Sequence, residues 1–118
     1  MYKYYNRNAH GMFVNDCVVR AISTATNEPW NDTYKKLSDL ARMNGVMMDN
    51  VDFVEDYLNK RFERVCDYEN TVGEFIKKHP KGTFIISMPG HLTCAIDGVN
   101  YDTFDTTSRR MWCSWKVK

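Results

Sequence analysis

The spacing of apolar residues changes along the chain from a helical period to a strand period. Residues 17–25 carry apolar side chains at the i, i+3, i+4 and i+7 positions of an amphipathic helix, with one face turned to a core. These side chains are Cys17, Val18, Ala21, Ile22 and Ala25. Pro29 disfavours helical geometry at the residue before it, so this first helix is predicted to end near Asn27.

Three further helical segments are bounded by capping residues. Asn31 is predicted to cap a second helix that stops at Gly45, and Asn50 to start a third. The segment "TVGE" at 71–74 has the capping-box pattern of a fourth, short helix. Between the third and fourth helices, the alternation in "RFERV" is consistent with a short strand over Arg61–Cys66.

The C-terminal third of the chain has the pattern of strands. "TFIISM" at 83–88 is short, apolar and β-branched, as in a buried strand. "HLTCAI" and "VNYDTF" flank Asp97–Gly98, a dipeptide typical of two-residue hairpin turns, and "RMWCSWKV" completes the set. The expected fold is a single α+β domain over residues 1–118. Its three or four N-terminal helices pack on a C-terminal antiparallel sheet of about four strands.

Composition narrows the classes of function. The 118 residues carry 16 basic and 15 acidic side chains, and this balance argues against nucleic-acid binding through a basic surface. Since no apolar run approaches the ~18 residues of a membrane span and the N-terminus is polar, we expect a cytoplasmic protein without membrane contact. The four cysteines should then be reduced. Their spacing has no C-x-x-C pair, so we expect neither a metal site nor a cofactor.

Cys17, His91 and Asp102 fall at positions where they can act together. Cys17 opens the first helix, where the helix dipole favours a thiolate, and His91 opens a strand. With a two-residue turn at Asp97–Gly98, Asp102 lies on the partner strand as a diagonal neighbour of His91 on the same face. An odd-length turn would instead select Asp105.

These residue types are the set required for nucleophilic catalysis by a thiol. The thiolate of Cys17 attacks, His91 takes and returns the proton, and the carboxylate of Asp102 fixes the orientation of the imidazole. The developing oxyanion needs hydrogen-bond donors. The backbone N–H of Cys17 is one candidate, and the Asn15 side chain is the nearest second.

Two segments resemble a known family. "NDCVVRAISTATNEPW" and, far downstream, "GHLTCAIDGVNYDTFD" resemble small papain-like cysteine peptidase domains found in bacteriophage and bacterial genomes. The resemblance implies a papain-like fold, a catalytic set of Cys17, His91 and Asp102 in that order, and a peptide or protein substrate. If the chain is encoded by a phage, it would act in the host cytoplasm.

The chain departs from that family at one position. Papain-like peptidases usually carry a glutamine shortly before the cysteine as an oxyanion donor, and this chain contains no glutamine. Asn15, Asn8 or His10 would have to serve instead. The departure leaves a second hypothesis open, in which a weak or inactive papain-like fold acts as a binding or inhibitory protein on a host factor.

Overall fold

Six strands form one mixed sheet in the computed structural model, which describes residues 1–65 and 69–118. The strands are β1 (Tyr2–Tyr4), β2 (Glu63–Val65), β3 (Thr83–Met88), β4 (His91–Ile96), β5 (Val99–Asp102) and β6 (Cys113–Lys116). The helices are α1 (Cys17–Thr26), α2 (Trp30–Asn44), α3 (Val51–Arg61) and α4 (Val72–Lys78). The strand order is β1-β5-β4-β3-β6-β2. The α+β class is thus confirmed, with four helices.

The sheet is larger than the sequence pattern indicated. Its four central strands, β5-β4-β3-β6, are the predicted ones and pair antiparallel throughout. The expectation of about four antiparallel strands missed β1, which pairs parallel with β5 at one edge. An edge strand of three residues is too short for its alternation to be distinguished from chance, and "YKY" is only that long. At the other edge, β2 confirms part of the short strand predicted over Arg61–Cys66, while Cys66 lies outside the described residues.

The predicted helix boundaries are confirmed with one exception. Asn50 caps α3 by accepting from the Phe53 N–H at 3.0 Å, and Thr71 caps α4 by accepting from the Glu74 N–H at 3.1 Å. The prediction that Asn31 caps α2 is wrong, because the N-cap lies two residues earlier, at Pro29, and the helix begins at Trp30. The Pro29 carbonyl accepts the N–H groups of both Asp32 and Thr33, at 3.1 and 3.2 Å, so no side-chain cap is used.

Two apolar clusters cover the two faces of the sheet. Neighbouring residues of β3 point to opposite sides, so Ile85 joins the cluster under α1, α2 and α3, while Ile86 joins the cluster under α4. Trp115 of β6 is fully buried in the first cluster. This packing fixes the start of α1 against the sheet. Within the described residues, no helix has the length and hydropathy needed to cross a bilayer.

Candidate active site

Cys17 is the first residue of α1, and the acidic residue before it does not cap the helix. Asp16 stands at the N-cap, but its carboxylate makes no bond to the N–H groups of the first turn. It accepts instead from Asn8 Nδ2 at 3.0 Å, Trp30 Nε1 at 3.1 Å and Arg20 Nε at 2.7 Å. Asp16 therefore leaves the positive end of the helix dipole uncovered at Cys17, where it favours a thiolate.

The hairpin of β4 and β5 brings His91 and Asp102 into contact. The turn residues Asp97 and Gly98 have φ values of 47° and 81°, and Ile96 pairs with Val99 across them. This is the predicted two-residue turn. In that register His91 Nε2 lies 2.7 Å from Asp102 Oδ2, so the expected diagonal contact is present.

The alternative carboxylate, Asp105, lies outside this contact. It is exposed, and its Oδ1 accepts from the N–H and the hydroxyl of Thr107 at 2.9 and 2.6 Å. Asp105 thus serves a local turn after β5. The even-length hairpin turn is what selects Asp102 over Asp105.

Four residues hold the Asp102 carboxylate. Oδ1 accepts from Arg20 Nη1 at 2.8 Å and from the N–H and the hydroxyl of Thr103 at 2.7 and 3.5 Å. Oδ2 accepts from the Thr93 hydroxyl at 2.6 Å and from His91. Because Asn100 Nδ2 donates to Thr93 Oγ1 at 2.9 Å, the hydroxyl proton of Thr93 is directed to Asp102. Burial alone would raise the pKa of Asp102, but the bonds to His91, Thr93 and the Thr103 N–H hold it below its ordinary value.

The second nitrogen of the His91 ring is available to Cys17. Since Nε2 bonds Asp102, Nδ1 is the ring nitrogen left to exchange a proton with the thiol, which lines the same cleft. Burial opposes ionisation of His91, but the bonds to Asp102 and Cys17, with their charges, raise its pKa from 6.5 to about 9. Burial likewise raises the pKa of Cys17, and the bonds to His91 and the Leu92 backbone with the charges of His91 and Arg20 outweigh it. The net pKa of Cys17 is lowered. The directions of the two shifts therefore favour a thiolate–imidazolium pair.

The other described thiols have the opposite tendency. Burial raises the pKa of Cys94 to about 12. Burial also raises the pKa of Cys113, whose sulfur lies 3.1 Å from Ser87 Oγ. Cys66 lies outside the described residues. Among the thiols of residues 1–65 and 69–118, Cys17 is the one whose surroundings stabilise the thiolate.

Cys17 and His91 line a cleft with a volume of about 470 Å³. Arg20 and the carboxylates of Asp49 and Glu55 also reach its wall. The rest of the lining is mainly apolar and includes Val18, Val51, Val54, Met88, Leu92, Phe104 and Trp112. A half-buried thiol in such a cleft can be reached by a substrate.

The three side chains considered as oxyanion donors occupy different places. Asn15 is exposed and lines the cleft next to Cys17. Asn8 is buried, donates to Asp16, and accepts from the N–H groups of His10 and Met12. His10 is exposed, and its ring lies edge-on to Trp30 with the ring centroids 6.2 Å apart. Neither Asn8 nor His10 lines the cleft at Cys17, so Asn15 is the candidate side chain that remains.

Sequence reasoning did not identify Arg20, which contacts both Asp16 and Asp102. A usable signal was present. Arg20 follows Asp16 by four residues and Cys17 by three, and both spacings place side chains on the same side of a helix. Arg20 is a cation one turn into an otherwise apolar helix. Because an aspartate at the N-cap position and a candidate nucleophile precede it on the same side, the pattern indicates a buried ion pair near the site.

Within the described ranges, no three His, Cys, Asp or Glu side chains are arranged to hold a metal ion. In comparisons with known proteins, no family model, no curated protein and no solved structure matches the chain.

Proposed function

We propose that the protein is a papain-like cysteine hydrolase that cleaves an amide or related acyl bond. The observation that carries the proposal is the bond between His91 and Asp102 at 2.7 Å, together with the place of Cys17 beside His91 in the wall of one cleft. The resemblance of the "NDCVVRAIS" and "GHLTCAIDGVNYDTFD" segments to papain-like peptidase domains points to the same chemistry and to a peptide or protein substrate.

The first half of the reaction forms a thioester. The Cys17 thiolate attacks the carbonyl carbon of the scissile bond and gives a tetrahedral oxyanion. His91 Nδ1, protonated in the ion pair, then donates its proton to the leaving nitrogen as the carbon–nitrogen bond breaks. The amine departs, and the acyl group remains on sulfur. Asp102 keeps the imidazole oriented and stabilises its charged form.

The second half restores the enzyme. The now neutral His91 removes a proton from water, and the resulting hydroxide attacks the thioester carbonyl. The carbon–sulfur bond breaks, releasing the acid and returning the thiolate–imidazolium pair. In both halves the oxyanion is stabilised by the Cys17 N–H at the uncapped start of α1 and by the Asn15 amide.

Alkylation by iodoacetamide tests the proposed nucleophile without a known substrate. At pH 6 a free cysteine is only about 0.3% thiolate. We expect Cys17 to react at least about 10-fold faster than free cysteine at that pH, because its thiolate is stabilised. Mass spectrometry of the Cys17 peptide measures the adduct. A Cys17 rate no greater than that of free cysteine would overturn the proposal.

Cleavage is tested with a library of unstructured peptides, read by mass spectrometry for new termini. Wild type and the matched control Cys94→Ala should cleave the same members, since Cys94 is a buried core thiol with a raised pKa. Cys17→Ala should cleave none. Cleavage by Cys17→Ala at the wild-type rate would also exclude the proposed reaction.

A second candidate function is binding or inhibition of a host protein. The exposed apolar side chains Met12, Phe13 and Trp112 favour it, with 56%, 73% and 48% of their surfaces accessible. This function does not need the thiolate. It becomes the better account if Cys17 shows no enhanced alkylation and the peptide library is left intact.

A further inference from the structure

Arg20 connects the two halves of the candidate site. Its Nε lies 2.7 Å from Asp16 Oδ1, and its Nη1 lies 2.8 Å from Asp102 Oδ1. Only 11% of its side-chain surface is exposed, against 5% for Asp16 and 2% for Asp102. Asp16 directly precedes Cys17, and Asp102 is the partner of His91. One side chain therefore joins the start of the nucleophile's helix to the carboxylate behind the base.

The far end of this connection is itself fixed. Asn8 and Trp30 donate to Asp16 Oδ2, the oxygen that Arg20 Nε does not use. The Asp16 carboxylate is thus bound by one residue of the N-terminal segment, Asn8, and by the first residue of α2, Trp30. Because a guanidinium is a rigid planar fork, its two bonds set the distance and the angle between the two carboxylates. A lysine has a single terminal nitrogen and cannot reproduce both bonds in this geometry.

The same bonds orient Asp102 toward His91. A carboxylate can rotate about its terminal torsion, and the bond from Arg20 to Oδ1 leaves Oδ2 directed at the imidazole. Arg20 also balances charge, since with it and a protonated His91 the two buried carboxylates of Asp16 and Asp102 are neutralised. A buried charge that loses its partner is strongly disfavoured.

Other titratable groups face this region from neighbouring elements. Tyr2 on β1 donates its hydroxyl to the backbone carbonyl of Asp102 at 3.1 Å. Across the cleft stand Asp49 and, on α3, Glu55, which lies 3.6 Å from Arg64. Cys94, on the same strand as His91, is buried. None of these groups makes a side-chain bond to the Asp102 carboxylate or the His91 ring among the contacts of the described residues.

We propose that Arg20 is a positioning residue: through its bonds to Asp16 and Asp102 it holds Asp102 against His91 and so maintains the reactive Cys17–His91 pair. The inference deepens the proposed function and rests on it. Arg20 acts through Asp102 and α1, without contact to the reacting atoms. The inference predicts that loss of Arg20 changes the pH dependence of Cys17 reactivity in the folded protein, in addition to the stability of the fold.

The test measures the rate of Cys17 alkylation by iodoacetamide between about pH 4 and pH 10, at a temperature well below unfolding. In wild type the alkylation rate should rise with pH as Cys17 ionises, and it should change a second time at higher pH as His91 loses its proton. The pH range between these two limbs is the window in which the ion pair exists. In Arg20→Met we expect the limb set by Cys17 to move to higher pH by about one unit or more, which narrows the window, because the charge of Arg20 lowers the pKa of Cys17 and Asp102 is no longer held against His91. Arg20→Lys should narrow it less, because the charge is kept.

Arg7→Met is the matched control. Arg7 donates to the Glu28 carbonyl through Nε and Nη2 at 3.2 and 3.0 Å, and to Tyr5 Oη at 2.8 Å. It does not line the cleft. Its loss removes a comparable number of hydrogen bonds and should lower the melting temperature while leaving the pH window of Cys17 unchanged.

The result that overturns the inference is an Arg20→Met protein with a lowered melting temperature and the wild-type window. If Arg20→Met does not fold, Arg20→Lys gives the decision, because it keeps the charge and cannot make both bonds. A narrowed window in Arg20→Lys supports the inference, and an unchanged one contradicts it. If the wild-type protein shows no pH window, the proposed function itself fails. If wild type shows the window and Arg20→Met keeps it, only the inference about Arg20 fails, so the two failures are distinguishable.

Discussion

The two sides of the candidate site differ in how much of their geometry exists before a substrate arrives. On the base side, the Asp102 carboxylate is 2% exposed and accepts hydrogen bonds from four residues, one of which is His91. On the oxyanion side, Asn15 belongs to an exposed segment, residues 11–15, that leads into α1. In the proposed reaction, the groups for proton transfer are therefore preorganised by the fold, whereas oxyanion stabilisation depends on a surface side chain and one helix terminus.

This difference bears on the missing glutamine. Buried hydrogen-bond networks resist change at any one member, because a lost partner leaves a buried polar group unsatisfied. An exposed donor carries no such constraint. Under the proposed function, the absence of the glutamine that papain-like enzymes use as an oxyanion donor does not lower the stability of the fold. It lowers only the rate of cleavage. Substitutions on the two sides should separate these effects.

The largest effect is expected from Cys17→Ser. A serine hydroxyl stays protonated beside His91, so the attacking anion is lost, and the rate of peptide cleavage should fall by about 10⁴-fold or more. The melting temperature should stay near that of wild type, since Cys17 is only half-buried. A Cys17→Ser protein that keeps a tenth of the wild-type rate would show that the nucleophile lies elsewhere.

The next largest effect is expected from Asp102→Asn, which breaks the base side. The amide cannot balance the charges of Arg20 and His91, so cleavage should drop by about 10²- to 10⁴-fold. The free energy of unfolding at neutral pH should fall by about 3 kcal/mol, as for other buried ion pairs that lose one partner. Urea denaturation gives the second value. Asp105→Asn is the matched control, and equal losses in the two variants would refute the assignment of Asp102.

A smaller effect is expected from Asn15→Ala on the oxyanion side. Loss of one oxyanion donor lowers the catalytic rate by about 10- to 10²-fold when the donor is exposed to solvent, somewhat less than for enclosed donors. The unfolding free energy should change by less than about 0.5 kcal/mol, since Asn15 is a surface residue. Asn31→Ala, an exposed asparagine outside the Cys17 cleft, should change neither quantity. No rate difference between the two variants would remove Asn15 from the site.

The smallest effect on activity is expected from Thr71→Ala, far along the chain at the start of α4. It removes the bond from the Glu74 N–H to the Thr71 hydroxyl and should cost about 1 kcal/mol of stability. Alkylation of Cys17 should keep its wild-type rate and pH dependence. A change in that rate would mean that the stability of the fold governs the reactivity of Cys17. The effects of substitutions on the base side and on the oxyanion side could then no longer be compared.

The sequence was sufficient for the parts of the fold that rest on local signals. The capped starts of α3 and α4 and the Asp97–Gly98 hairpin each depend on a few neighbouring residues, and the hairpin register alone placed Asp102 beside His91. The edge strand β1 was missed because its partner β5 lies almost a full chain away and its own three residues are too few for a pattern to be recognised. A parallel edge pairing of this kind leaves little trace in local sequence.

Arg20 shows the same limit at the site. Thr93 and Arg20 both bind Asp102, but the contact of Thr93 follows from the predictable hairpin register, whereas that of Arg20 spans 82 positions. Spacing could place Arg20 next to Asp16 on α1, while only the packing of α1 against the sheet brings it to Asp102. The three residues of the proposed triad were therefore predictable from local signals, and the arginine that joins their supports was not.

The pKa of the His91 ring tests the central claim most directly. It can be measured by NMR titration of the imidazole resonances, assigned by their absence in His91→Asn. The thiolate–imidazolium pair predicts a value of about 9 in wild type, falling in Cys17→Ala because the thiolate that stabilises the imidazolium is gone. A value near the ordinary 6.5, unchanged in Cys17→Ala, would show that no such pair exists and would contradict the account.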